Sequence, residues 1–163
     1  VKIYLAGAIR DGCARDIAWR EEAIERLSGP STILNPLGGK RYFPQTRSWQ
    51  VCGVPPAARM IVKQDFAMID RADAVLFNFE AMKDGYPMIG SLVELGYATG
   101  KGKLCYAVWP NGLAGANAIY TIHPFIEQNC AELFPTVDDA LGFLEKYLLV
   151  AGGWTPQYAS TSS

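Results

Sequence analysis

The chain has 163 residues, 50% of them hydrophobic and 19% charged, with a formal net charge of -1; this suits one compact domain with its own core and excludes a disordered chain. So balanced a charge gives no field to attract a nucleic-acid polymer. No apolar run is long enough to span a membrane and the first residues read as a strand rather than a signal peptide, so a cytoplasmic protein is expected.

The opening Val1-Lys2-Ile3-Tyr4-Leu5-Ala6-Gly7 is a β-rich run closing in small residues and predicts a first strand. A loop holding Ile9-Arg10-Asp11-Gly12 follows. Ile17, Ala18, Ile24 and Leu27 then recur at near-helical spacing over 15–27, and Ser28-Gly29-Pro30 supplies the stop. Residues 31–35 suit a second strand. Residues 36–56, rich in Gly, Pro and polar side chains and holding Tyr42, Phe43 and Trp49, predict a long irregular lid or mobile loop. A helix is expected over 57–72, leading through Asp73 into a strand over 74–79 that is apolar on both faces, as a buried parallel strand must be. After a loop over 80–87 come a helix over 89–99, ended by Gly100, and a strand over 104–109. The remainder predicts a partial helix within 117–129, a short strand at 132–134, and a last helix capped by Thr136 and Asp139 and running to about 149. Residues 1–150 are thus read as one domain and 151–163 as a tail. Such β-α alternation argues for a mostly parallel sheet with helices on both faces, its site at the strand C-terminal ends.

Cys13, Cys52, Cys105 and Cys130 are far apart and the lone His123 cannot complete a usual zinc set, so no metal is expected. One histidine also leaves little room for Ser-His or Cys-His chemistry, which directs attention to carboxylates. Glu94 stands alone among apolar and small residues in Met88-Ile89-Gly90-Ser91-Leu92-Val93-Glu94-Leu95-Gly96-Tyr97-Ala98. A carboxylate there either points into a polar cleft, with a pKa sensitive to its surroundings, or lies at the solvent edge of an amphipathic helix. Gly90 and Ser91 would let a ligand approach the helix N-terminus, or merely allow close packing. Asp65 is a poor helix former inside a helix. It is either half of a carboxylate pair suited to glycosidic chemistry or a partner for Lys63 or a nearby Arg. No dinucleotide or P-loop glycine motif is present.

Lys2-Ile3-Tyr4-Leu5-Ala6-Gly7, Gln64-Asp65, Ala72-Asp73-Ala74-Val75-Leu76 and above all Gly90-Ser91-Leu92-Val93-Glu94-Leu95-Gly96-Tyr97-Ala98 occur in an order that resembles the nucleoside 2-deoxyribosyltransferases and the related 2'-deoxynucleoside 5'-monophosphate N-glycosidases. The resemblance covers nearly the whole chain and implies a flavodoxin-like three-layer α/β domain with a mostly parallel five-stranded sheet. It implies that Glu94 attacks C1' of the deoxyribose, that Tyr4 hydrogen-bonds and orients it, and that Asp65 handles the base as general acid. Gly7, Ile9, Arg10, Met88, Gly90, Ser91, Asn117 and Tyr158 would be substrate-binding. Tyr4 read without the resemblance is a strand residue with a wet hydroxyl.

Met88 and Asn117 stand where the monophosphate hydrolases place phosphate-holding serines, which favours a nucleoside, while Arg10 resembles a phosphate-binding arginine of those hydrolases. Met88 also replaces an aspartate with which several transferases grip the base. Trp154 or Tyr158 would reach a neighbouring site in a homodimer or higher homo-oligomer. The expected partners are a deoxynucleoside and a free nucleobase, with no cofactor. Two other readings stand beside transfer: hydrolysis of nucleosides or monophosphates with the same nucleophile, and a non-catalytic nucleotide-binding sensor.

Overall fold

Alternation along a strand decides which layer each side chain joins. In β1 (Lys2–Gly7), Ile3 and Leu5 turn to one side of the sheet, and Tyr4 and Ala6 to the other. The computed structural model describes residues 1–10, 13–43, 48–50, 57–109 and 122–150. After β1 the chain forms α1 (Ala14–Leu27), β2 (Thr32–Leu34), β3 (Arg41–Phe43), β4 (Ser48–Gln50), α2 (Ala58–Arg71) and β5 (Ala74–Asn78). A 3-10 turn (Glu80–Asp84), α3 (Ile89–Gly100), β6 (Leu104–Val108), α4 (Pro124–Glu127), β7 (Glu132–Phe134) and α5 (Val137–Val150) follow.

The main sheet has five strands in the order β2-β1-β5-β6-β7, and every neighbouring pair is parallel. This is the flavodoxin-like arrangement expected. Central β5 is buried throughout: Ala74 and Leu76 join the layer of α1 and α5, while Val75 and Phe77 join that of α2 and α3. Burial on both sides explains why this strand is apolar on both faces. The chain leaves β1 toward β2 but returns through β5 on the opposite side, so the strand order switches between β1 and β5. A crevice opens there, beyond the strand C-terminal ends. Among the described residues no helix is long and apolar enough to cross a membrane.

Two departures from the sequence pattern have local causes. Within the stretch read as irregular, β3 and β4 pair as an antiparallel ribbon, and Tyr42 faces Trp49 with ring centroids 5.5 Å apart. A cross-strand aromatic pair of this kind stabilises a short ribbon, and the flanking Gly and Pro residues concealed it. In the partial helix expected near 117–129, the described part is the single turn of α4. His123 caps it, Nδ1 accepting from the Phe125 amide at 3.4 Å, and Pro124 occupies the first turn. Residues 151–163 lie outside the described residues, as do Asn117, Trp154 and Tyr158.

Gly7 closes β1 where α1 presses on the sheet. A Cβ there would lie 2.9 Å from Trp19 Cζ2 and 3.3 Å from the Asn78 carbonyl oxygen. Gly7→Ala is therefore expected to lower unfolding free energy by about 1–3 kcal/mol, the usual consequence of overpacking, as measured by urea denaturation. An unchanged midpoint would show that this contact yields freely.

Candidate active site

The face that a helix buries is set by residues three and four apart. In α3 the buried residues Ser91, Leu95 and Ala98 form one stripe, and Glu94 lies on it, three residues from Ser91. The outward positions are Ile89, Leu92 and Val93, at 67%, 38% and 54% exposure. The helix is thus inverted at its start, with a carboxyl inside and apolar side chains outside. The solvent-edge reading of Glu94 fails for this reason.

Glu94 is reached from β1 by Tyr4, which is buried and whose hydroxyl donates to Glu94 Oε1 at 2.7 Å. The strand alternation that sends Tyr4 toward α3 makes this contact possible. Burial pushes the Glu94 carboxyl up to about 7; the hydrogen bond from Tyr4 opposes the rise, the charge of Asp65 adds to it, and that of Arg20 opposes it. Burial, then the charges of Glu94 and Asp65, raise the Tyr4 phenol far above its ordinary value, so it remains a donor at neutral pH.

Both residues face a cavity of about 460 Å³ over the switch point of the sheet. Its floor comes from the loop after β1, with Gly7, Ala8 and Ile9. One wall comes from the segment entering α3, with Met88, Gly90 and Ser91, and Asp65 and Phe66 of α2 complete the opposite side. Burial raises the Asp65 carboxyl above its ordinary value against the charges of Lys40 and Arg20, and Asp65 Oδ1 is buried without a hydrogen-bond partner. The alternative pairing with Lys63 is not made. Met88 adopts a left-handed conformation, φ 47 and ψ 37, at the N-terminal boundary of α3. A non-glycine residue there is strained by about 1–3 kcal/mol. The strain turns the chain sharply at the cavity wall, leaving first-turn amides of α3 free of intrahelical partners.

Five of the expected binding residues, Gly7, Ile9, Met88, Gly90 and Ser91, thus converge with the expected acid Asp65 and with Tyr4 and Glu94. Arg10 does not. Its guanidinium pairs with Asp16 at 2.7 Å and with Asp84 at 2.6 Å and lies 5.8 Å from the centre of the Tyr86 ring, without itself lining the cavity. Burial acts to raise the Asp16 carboxyl, but the hydrogen bonds from Arg10 outweigh it and hold Asp16 below its ordinary value. Arg10 therefore ties the loop after β1 to α1 and to the 3-10 turn. Tyr42, Phe43 and Trp49, read as lid aromatics, are not among the described lining residues; Phe66 and Tyr86 are. No sequence signal selects Tyr86, or Arg20 on α1. Among the described residues no group of three His, Cys, Asp or Glu side chains is placed to hold a metal ion.

Residues 1–111 match the family model described as "Nucleoside 2-deoxyribosyltransferase like". Among solved structures, a 2-deoxyribosyltransferase from Bacillus psychrosaccharolyticus superposes with a TM-score of 0.61 at 20% identity, covering 91% of this chain and 96% of its own. A 2-deoxyribosyltransferase from Leishmania mexicana gives 0.63 at 18% identity, over 90% and 97%. The CMP N-glycosidase of Clostridium botulinum gives 0.56 at 16% identity, over 90% and 99%. No match was found among curated protein sequences.

A glutamate whose folded pKa is near 7 and whose ordinary value is 4.5 binds more protons folded than unfolded between those values. Its contribution to stability is present below about pH 4.5 and is lost as pH rises through about 7. Glu94→Gln, which leaves no carboxylate to bury, is expected to exceed wild type in stability by about 1–2 kcal/mol at pH 8. The two proteins should converge near pH 4.5. Urea unfolding at both pH values checks the sign, and a variant less stable than wild type at pH 8 would contradict it.

Proposed function

The chain belongs to the nucleoside 2-deoxyribosyltransferase-like family, whose members act on N-glycosidic bonds, and on that premise we propose that it moves 2-deoxyribose from a deoxynucleoside to another nucleobase through a covalent intermediate on Glu94. The observation that carries this reading is the Tyr4–Glu94 hydrogen bond at the wall of a cavity that also holds Asp65. Glu94 Oε2, which does not receive the Tyr4 hydrogen bond, forms a bond to C1' as the bond from C1' to the base nitrogen breaks. The electron pair leaves with the base, and Asp65, kept protonatable by burial, supplies the proton. The incoming base then attacks C1', releases the Glu94 carboxylate and returns a proton to Asp65. Tyr4 holds the nucleophile in one orientation throughout.

A nucleoside fits better than its 5'-monophosphate. Among the described lining residues there are two carboxyl groups and no lysine or arginine, a setting that repels a phosphate dianion. The arginine that would have favoured phosphate, Arg10, is engaged by Asp16 and Asp84. Pro36, Phe66 and Tyr86 offer the flat apolar surfaces a base requires. We also infer a homo-oligomer, supported by the exposed Val62, Ile89 and Val93 at the cavity. A second copy would cover them and bring residues from its own chain to the opening.

Incubation with a deoxynucleoside and a different free base should yield the exchanged nucleoside. Release of free deoxyribose despite abundant acceptor base would instead establish hydrolysis. Protein quenched during turnover should show a deoxyribose adduct on the peptide bearing Glu94 by mass spectrometry. Glu94→Ala should abolish cleavage while retaining ligand binding, and Asp65→Asn should slow it by about 10²–10⁴-fold. A wild-type protein that binds nucleosides and cleaves none of them would support the sensor reading.

A further inference from the structure

Behind the cavity floor lies a positive charge that the proposed reaction leaves unused. Arg20, on α1, has 0% exposure. Its Nη2 donates to the Gly7 carbonyl at 2.9 Å, its Nη1 to the Ala8 carbonyl at 3.0 Å and also to the Asp16 carbonyl, and its guanidinium lies 4.6 Å from the centre of the Trp19 ring. Nε has no hydrogen-bond partner. Taking a cation out of water carries a penalty of several kcal/mol, and carbonyl groups offset it incompletely. The nearby carboxylate of Asp16 is bound to Arg10 instead. Among the described residues Arg20 forms no salt bridge, so packing alone gives no reason for a guanidinium here.

Two features connect Arg20 with the site. The carbonyl groups it grips belong to Gly7 and Ala8, which line the cavity. The groups bearing on Glu94 come from three other elements: Tyr4 on β1, Asp65 on α2 and Arg20 on α1. Lys40, after β2, bears on Asp65. At Glu94 the hydrogen bond from Tyr4 and then the charge of Arg20 oppose burial and the charge of Asp65.

We propose that Arg20 is the positioning residue of this site: it fixes the Gly7–Ala8 floor through its grip on the two carbonyl groups and sets a buried positive charge behind that floor. The inference rests on Glu94 being the nucleophile. It assigns to the layer opposite the cavity a share in the protonation state of the reacting group. A neutral side chain of similar size would fill the same space without either effect.

The test compares wild type with Arg20→Met and Arg20→Lys. Carboxyl-carbon NMR of ¹³C-glutamate-labelled protein, with Glu94→Gln used for assignment, reads the Glu94 titration without ligand. Amide hydrogen exchange reads the order of residues 7–9. In Arg20→Met the Glu94 midpoint should rise by about one pH unit, amide exchange at residues 7–9 should quicken, and the acid limb of the kcat profile should move with the midpoint. From a starting value of about 7, such a shift lowers the ionised fraction at pH 7 about fivefold; kcat should fall by that factor with KM little changed. Arg20→Lys should restore the midpoint while the exchange stays fast, since one ammonium cannot reproduce the fork.

A folded Arg20→Met protein with an unmoved Glu94 midpoint would overturn the proposal. If Arg20→Met does not fold, Arg20→Lys decides: wild-type exchange at residues 7–9 together with wild-type kcat would overturn it equally. The titration and the exchange are read on the ligand-free protein, so they separate an error about Arg20 from an error about the reaction. A wild type inert toward every deoxynucleoside would refute the proposed function and leave both measurements interpretable.

Discussion

A carboxyl group placed on the buried stripe of a helix is the constraint around which this molecule is arranged. Glu94 cannot be hydrated as a surface glutamate is, and its anionic form requires a donor. Tyr4 provides that donor at 2.7 Å, a charge-assisted bond of the class that contributes about 1.5–3 kcal/mol. The contact needs β1 to present its even-numbered residues to α3, and it needs α3 to turn Glu94 inward. One residue of slip in β1 would exchange Tyr4 for Ile3 or Leu5 and remove the donor. The pairing of β1 with β5, from Ile3 opposite Ala74 to Gly7 opposite Asn78, fixes that register. The hydrophobic core thus serves the polar pair by fixing where the phenol can be.

The cavity follows from the same topology. Parallel strands end together, and the chain leaves β1 and β5 in opposite directions, so no crossover covers the gap between them. The loop after β1 supplies a floor of small residues, and the segment before α3 supplies a wall that turns at the strained Met88. Apolar side chains then point outward from α3 beside the opening. A helix that buries its acid and exposes its isoleucine and valine is poorly suited to an isolated chain in water. On the proposed oligomer, the same face would be buried against a second copy, and inversion of the helix would serve both the site and the assembly.

Much of this was legible in the sequence because the relevant signals are local. The apolar runs of β1, β5 and β6 and the helical spacing of α1, α2 and α3 each predict an element, and the alternation of elements predicts the sheet. Glu94 was conspicuous as one acid in an apolar setting, and Asp65 as a poor helix former within a helix. What escaped was decided at long range. Arg10 resembled a phosphate-binding arginine, and nothing near it in sequence shows that Asp84, 74 residues away, closes on it. Arg20 drew no reading from the sequence, since its burial depends on where α1 crosses the end of β1. The β3–β4 ribbon was hidden because its strands are three residues each, too short for alternation to stand out among Gly and Pro.

The two cavity carboxyls raise a question of order on the proposed mechanism. The charge of Asp65 is among the causes that lift Glu94, and burial raises Asp65 as well, so the two carboxyls of the ligand-free site compete for ionisation. Attack requires one division of that competition, with Glu94 ionised and Asp65 protonated. Substrate supplies the means. A base seated against Asp65 removes its remaining water and offers a nitrogen to share a proton, both of which favour the acid form. A sugar whose anomeric carbon gains positive charge beside Glu94 favours the carboxylate there, as do Tyr4 and Arg20. Two carboxyls pushed apart by their surroundings divide acid and nucleophile between them. Here the division is completed only when both halves of a nucleoside are in place, which makes an empty or half-filled cavity a poor catalyst of anything else.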